Sequence, residues 1–161
     1  ELQATYDGLT KLYNRQKIED ILKIEIDRSR RYGIEMYILM LDIDDFKKIN
    51  DTYGHPTGDT VLREISRLVK KSIRKTDYAG RWGGEEFIVV APHTDLKGAT
   101  MFAESIREGV EGTDFAGVGR VTCSIGATYF QKTDTEETIV KRADEALYES
   151  KKEGKNRVTI I

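Results

Sequence analysis

The sequence is short of several things, and each shortage removes a class of protein. A single cysteine, Cys123, excludes a disulfide framework and any cysteine-based metal site. No apolar run approaches membrane-spanning length, and the opening ELQATYDGLT lacks the charged and apolar regions of a secretion signal. Surplus positive charge is missing as well. Lys plus Arg is 26 and Asp plus Glu is 28, a formal charge of -2, which gives no basis for a nucleic acid polymer as the main partner. Proline occurs only at Pro56 and Pro92, each at an expected break, and there is no internal repeat or low-complexity tract. What is present is 39% apolar and 34% charged residues in a chain of 161, the supply for one domain over 1–161 with a real core and a heavily ionised surface. The expected setting is a reducing, cytoplasmic compartment without direct membrane contact. Residues 1–6, ELQATY, read as the stub of an upstream connecting helix.

Ile18, Ile21, Leu22 and Ile26 have helical spacing, which predicts a helix over 14–31 with Asn14 as cap and Gly33 as stop. The continuous apolar run 36–41 reads as a central strand covered on both faces. Val61, Leu62, Ile65, Leu68, Val69 and Ile73 mark an amphipathic helix. Strand-like pieces over 77–82 and 86–90 flank Gly83-Gly84, a tight-hairpin signal in which both glycines can need positive φ. A helix over 96–110 follows, then a strand over 121–129 whose alternation implies one buried face. A helix over 139–150 stopped by Gly154 and a strand over 157–161 end the chain. The middle of this order is β-α-β-β-α-β, the ferredoxin-like split motif, so the fold class is α+β: a central, mostly antiparallel sheet flanked by helices.

Acids gather at two places. In LDIDDFKKIND, Asp42 ends the buried strand and Asp44 and Asp45 crowd it; Glu85-Glu86 follows the glycine pair. Helix capping by Asp44 or Asp45 accounts for one acid but not for Asp42. If the two strands are neighbours, Asp42 and Glu85 converge. Convergent carboxylates without His or Cys suit a hard cation with oxygen ligands, magnesium rather than zinc, sharing its shell with nucleotide phosphates.

DGLTKLYNR, LDIDDFKKINDTYGHPTGD, RWGGEEF and ADEALYESKKEGKNRV together resemble the GGDEF-domain diguanylate cyclases, in order and spacing, from Asp7 to Val158. The resemblance implies a fold like nucleotidyl cyclases and polymerase palms, and an enzyme of bacterial second-messenger signalling that condenses two GTP into cyclic di-GMP and two pyrophosphates. It implies Asp42 and Glu85 as magnesium ligands (manganese also serving), with the Ile43 carbonyl assisting, and Glu86 at the second metal or deprotonating the attacking 3′-hydroxyl. Gly83 and Gly84 would admit the phosphates. Asn50 and Asp59 would read guanine, Leu62 would pack on the base, and His55 is a loop hydrogen-bonder beside them. Asp59 is equally readable as a helix cap after Pro56-Thr57-Gly58. Phe46 and Lys47 would receive the β- and γ-phosphates, as would Lys151 and Lys155, the latter standing where the family usually has Arg. Lys151 and Lys152 are also favourable charges at a helix end. Asp7, Asn14 and Arg15 match the family's N-terminal turn.

Arg74 and Asp77 fit the family's RxxD product-inhibition site, with Arg81 placed to assist. The helix arginine that normally completes that site across a dimer falls near Ser105, with Arg107 beside it. The expected partners are therefore GTP, cyclic di-GMP and a second copy of the chain. Two other readings stay open: a GTP or cyclic di-GMP binding module with little turnover, and a cyclase with a different product.

Overall fold

The computed structural model describes residues 5–161. The core sheet has five strands in the order β2(Tyr78–Arg81), β3(Glu86–Pro92), β1(Met36–Ile43), β6(Cys123–Tyr129) and β7(Val158–Ile160). Every neighbouring pair is antiparallel except β6 with β7. This is the expected α+β arrangement with the split β-α-β-β-α-β motif at its centre. A small second sheet, β4(Asp114–Phe115) with β5(Gly119–Arg120), was not expected from the sequence; its strands are too short to carry a period.

Helices cover both faces. α1(Arg15–Tyr32) and α5(Glu136–Lys152) pack Ile18, Leu22, Ile26, Ile139, Ala143 and Leu147 against Met36, Ile38, Met40, Ile88 and Val90. On the other face, α3(His55–Ser72) and α4(Leu96–Glu111), with the short α2(Phe46–Tyr53), bury Leu39, Leu41, Ile43, Phe87 and Val89. Asn14 caps α1 as expected, accepting from Lys17 N at 2.9 Å, and Gly33 ends it in the left-handed conformation at φ 64. Tyr6 forms a β-bridge with Tyr13, so the described end of the expected connecting-helix stub is not helical; residues 1–4 lie outside the described residues.

Several local expectations are corrected. The β2–β3 hairpin forms, but neither Gly83 nor Gly84 has positive φ, because the connection Trp82–Glu85 is longer than a two-residue turn. Asp45 occupies the N-cap position of α2 in the left-handed conformation without capping it through its side chain. Asp44 does not cap it either, being turned to other partners. α3 begins at His55, which places Pro56 in its first turn and Asp59 inside the helix rather than at its cap. β6 is buried on both faces. Its alternation is one of size: Cys123, Ile125 and Ala127 enter the core, while Ser124, Gly126 and Thr128 let α5 lie directly on the strand.

Gly126 sets that close approach, since a Cβ there would stand 2.1 Å from Leu147 N and 2.5 Å from Ala143 O. Gly126→Ala must therefore lift α5, the helix that carries Lys151, away from the sheet. The expected cost is about 3 kcal/mol, the upper part of the range for overpacking. It is read as a lowered midpoint in urea unfolding; an unchanged midpoint contradicts the packing described.

Candidate active site

Sheet register brings the acids together. Asp42 stands directly opposite Glu86 in the β1–β3 ladder, and Glu85 O is paired with Ile43 N at 3.4 Å. Like charges placed opposite each other on one face destabilise a sheet unless something neutralises them. Part of the compensation comes from α5: Lys151 Nζ lies 3.0 Å from Asp42 Oδ1. That oxygen is buried and receives no well-directed hydrogen bond. The crowding also favours the protonated form of the glutamates. Burial, then hydrogen bonding to Asp42 and the charges of Asp42 and Glu86, push Glu85 up to about 7 against the pull of Lys151. Glu86 is raised too, by burial and by the charges of Asp42 and Asp144. Gly83 makes room for this cluster, because a Cβ there would come within 2.7 Å of Glu86 Oε1; Gly84 has open space around it.

Asp44 plays a different part from its neighbours. It is buried and accepts from Thr122 Oγ1 at 2.8 Å, Ser124 Oγ at 2.6 Å and Asn156 N at 3.0 Å. It thus fastens the end of β1 to β6 and to the turn after α5. Sequence reading missed this anchor, although an acid beside Asp42 and the β6 hydroxyls on one face were its only trace. Asp45 is exposed and ion-paired to Lys155 Nζ at 2.7 Å.

The residues expected to read a base lie between α2 and α3. Asn50 Oδ1 is buried and unpaired, and it sits against Gly58, where a Cβ would clash at 1.8 Å. Gly58 is therefore a site residue that sequence reasoning did not single out. Asp59 follows it, half-buried, and His55 is the exposed first residue of α3. Leu62 is only 2% exposed, so it supports the site from the core and offers a base almost no surface. Phe46 also points into the core, leaving its backbone as the part available to a ligand, while Lys47 projects into solvent with Asp51 Oδ2 3.7 Å from its Nζ.

Arg74 and Asp77 meet each other. Arg74 Nη2 donates to Asp77 Oδ1 at 2.9 Å, to Pro92 O at 2.8 Å and to Thr94 Oγ1 at 2.6 Å. A cavity of about 300 Å³ opens beside them, lined also by His93, Thr94, Asp95 and Phe102. Arg81 is engaged elsewhere: it pairs with Asp7 at 3.3 Å and donates to Gly84 O at 2.7 Å, tying the N-terminal turn to the hairpin. Arg15 stacks on the Trp82 ring at 3.7 Å and donates to Trp82 O at 2.8 Å, a second strap on the same hairpin. Arg107 is half-buried in bonds to Glu104, Glu111 and Asn156, so it is not a cation presented to a second copy.

The chain matches the family described as "Diguanylate cyclase, GGDEF domain" over residues 4–157. It is 40% identical over 158 residues to diguanylate cyclase DosC of Escherichia coli, covering 96% of this chain and 34% of that protein. With diguanylate cyclase DgcP of Pseudomonas aeruginosa it shares 38% identity over 161 residues, 98% of this chain and 24% of that protein. The chain thus spans a quarter to a third of the relatives it matches. Among solved structures, the coiled coil and GGDEF domain of DgcB from Caulobacter crescentus in complex with c-di-GMP superposes with a TM-score of 0.95. That match has 32% identity and covers 99% of this chain and 87% of the other.

The raised Glu85 carboxyl gives the fold a signed pH dependence without any ligand. The folded chain holds a proton that the unfolded chain releases near its ordinary value of 4.5, so stability falls as pH rises from there towards about 7. Glu85→Gln removes the share of the decline that Glu85 contributes. In urea unfolding with EDTA present, the variant is expected to gain on the parent steadily between those limits; parallel pH profiles contradict the crowding.

Proposed function

This chain belongs to the GGDEF-domain family of diguanylate cyclases, and from that premise we propose that it joins two GTP molecules into cyclic di-GMP with release of two pyrophosphates. The observation that carries the reading is the gathering of Asp42, Glu85 and Glu86 at one point, only partly compensated by Lys151 at the buried Asp42 Oδ1. Such a cluster costs folding stability and calls for a cationic ligand. All its donors are oxygens, which fits magnesium, with manganese as a substitute. Among the described residues no group of three or more His, Cys, Asp or Glu is arranged to enclose a metal alone. Asp42, Glu85 and the Ile43 carbonyl would hold the ion, and phosphate oxygens and water would complete its shell. Bound there, it supplies a lowered pKa at the 3′-hydroxyl and charge neutralisation on the leaving pyrophosphate.

The chain's own groups do the rest. Glu86 takes the proton of the 3′-hydroxyl; the hydroxyl oxygen forms a bond to the α-phosphorus, and the bond from that phosphorus to the β-bridging oxygen breaks. Lys151 and Lys155, with Lys47 and the backbone at Phe46, take the phosphates. Asp59 accepts from guanine N1–H and N2–H, and Asn50 complements the base edge. Adenine lacks that donor pair, so ATP would leave buried acceptors unpaired. One chain holds one GTP, so closing the two-fold product ring takes two copies facing each other. A binding module with little turnover would have no use for three intact acids at one point.

Arg74 and Asp77 are proposed to hold the product as a feedback inhibitor, with the exposed part of the Arg74 guanidinium facing the adjoining cavity. Arg81 is assigned the lesser role of holding the hairpin. No helix among the described residues is long and apolar enough to cross a membrane, and a GTP substrate fits a cytoplasmic setting.

With GTP and magnesium the domain is expected to yield cyclic di-GMP, identified by mass spectrometry, at a rate rising faster than linearly with enzyme concentration where the copies dissociate. Glu86→Ala is expected to lower that rate at least about a hundredfold, in line with loss of a general base, and ATP is expected to give no product. Cyclic di-GMP binding without turnover at high protein concentration would make the chain a receptor. In calorimetry, Arg74→Ala is expected to weaken cyclic di-GMP binding tenfold or more, by about 1.4 kcal/mol or more; unchanged affinity removes Arg74 from the inhibitory site.

A further inference from the structure

Lys155, placed among the phosphate-binding groups by the reading above, is already engaged by a carboxylate of its own chain. Its Nζ lies 2.7 Å from Asp45 Oδ1, across a separation of 110 residues. Asp45 stands at the N-cap position of α2 and makes no side-chain hydrogen bond to the helix there. Its backbone is held at φ 56, a conformation that favours glycine. The carboxylate is therefore diverted from the helix end to the lysine.

The turn that presents Lys155 is itself firmly set. Lys155 and Asn156 are consecutive left-handed residues, at φ 65 and φ 48. Lys155 N donates to Ser150 O at 2.9 Å and Asn156 N to Asp44 Oδ2 at 3.0 Å. The Asn156 side chain is clamped by Arg107 at 2.9 Å and Glu111 at 3.0 Å. With the backbone fixed on both sides, the mobile part is the aliphatic stem of Lys155 with its ammonium group. That group has the Asp45 carboxylate within its range and, on the proposed function, a nucleotide's phosphates as well.

We propose that Asp45 is a built-in competitor for Lys155, so that a nucleotide triphosphate binds by exchanging its phosphate oxygens for the Asp45 carboxylate. This inference rests on the proposed function. Both side chains are about half exposed, at 44% for Lys155 and 57% for Asp45, so the pair is weak enough to be exchanged. A guanidinium in place of Lys155 would offer further donors in a planar fork and serve both anions together; the compact ammonium has fewer, so the Asp45 contact leaves it less to give a phosphate.

The test is calorimetric titration of the whole chain with a non-hydrolysable GTP analogue in magnesium, comparing the parent with Asp45→Asn, Lys155→Met and the double variant. Asp45→Asn is expected to bind about two- to fivefold more tightly, the range set by a half-exposed ion pair. Lys155→Met is expected to bind more weakly, and the double variant to match it, because without the lysine there is nothing to compete for. Asp45→Gly, which suits the left-handed backbone there, repeats the first arm and guards against a folding defect of one variant. Unchanged or weaker binding by both Asp45 variants overturns the proposal. So does a gain that persists in the Lys155→Met background, since that marks simple repulsion between Asp45 and the phosphates. A parent chain that does not bind the analogue at all overturns the proposed function together with this inference, an outcome distinct from the other two.

Discussion

The structure turns on the crowding of Asp42, Glu85 and Glu86 at the joined ends of β1 and β3. An antiparallel register that runs unbroken from Met36 opposite Pro92 leaves no freedom at its far end, so Asp42 must face Glu86. Side chains that repel in this way would separate if either strand were loose. Here the apolar run from Met36 to Leu41 is buried on both faces, and slipping by one residue would exchange the side chains fitted beneath α1 and α5 with those fitted beneath α3 and α4. The hydrophobic core thus holds the acids face to face, and Lys151 and the raised Glu85 carboxyl make the arrangement tolerable.

Around that point the chain distributes support among residues that do no chemistry. Asp44 pins the end of β1 to β6 through Thr122 and Ser124 and reaches the turn at Asn156, which Arg107 and Glu111 hold from α4. On the opposite side, Arg15 and Arg81 each donate to a carbonyl of the hairpin, at Trp82 and Gly84, while Asp7 anchors Arg81. The two glycines of the hairpin need no unusual backbone. The loop keeps its shape because two guanidinium groups brace it and because Gly83 yields space to Glu86.

Much of this was readable from the residue order. Periodicity located every major helix and strand, and the spacing of acids around a glycine pair marked the site before any geometry was known. What could not be read depended on contacts between distant segments. The alternation in β6 is the same whether a face meets water or a helix, and only the Gly126 contact with α5 shows which. Asp44 and Asp45 are indistinguishable as neighbouring acids, yet one is buried among hydroxyls and the other is exposed to a lysine from the far end of the chain. Asp59 looked like a cap because Pro56 and Gly58 suggested a loop; the helix instead starts earlier, with proline in its first turn and Gly58 present to admit Asn50.

The same distinction bears on how binding energy can be used at this site. Groups fixed by the sheet, such as Asp42, cannot retreat from a ligand, so a cation placed there relieves an existing strain as well as making new bonds. Groups on the turn after α5 differ, because the backbone is fixed while the Lys155 side chain remains half exposed. Rigid acids and an exchangeable cation divide the work. On the proposed function, the former would set where a metal and the reacting phosphate belong, and the latter how tightly the rest of the triphosphate is held. Each turnover of the proposed reaction leaves pyrophosphate that has to be released. On the proposed exchange, an Asp45 carboxylate taking back the lysine would favour that release, which is a reason for Asp45 to stand beside a lysine rather than an arginine.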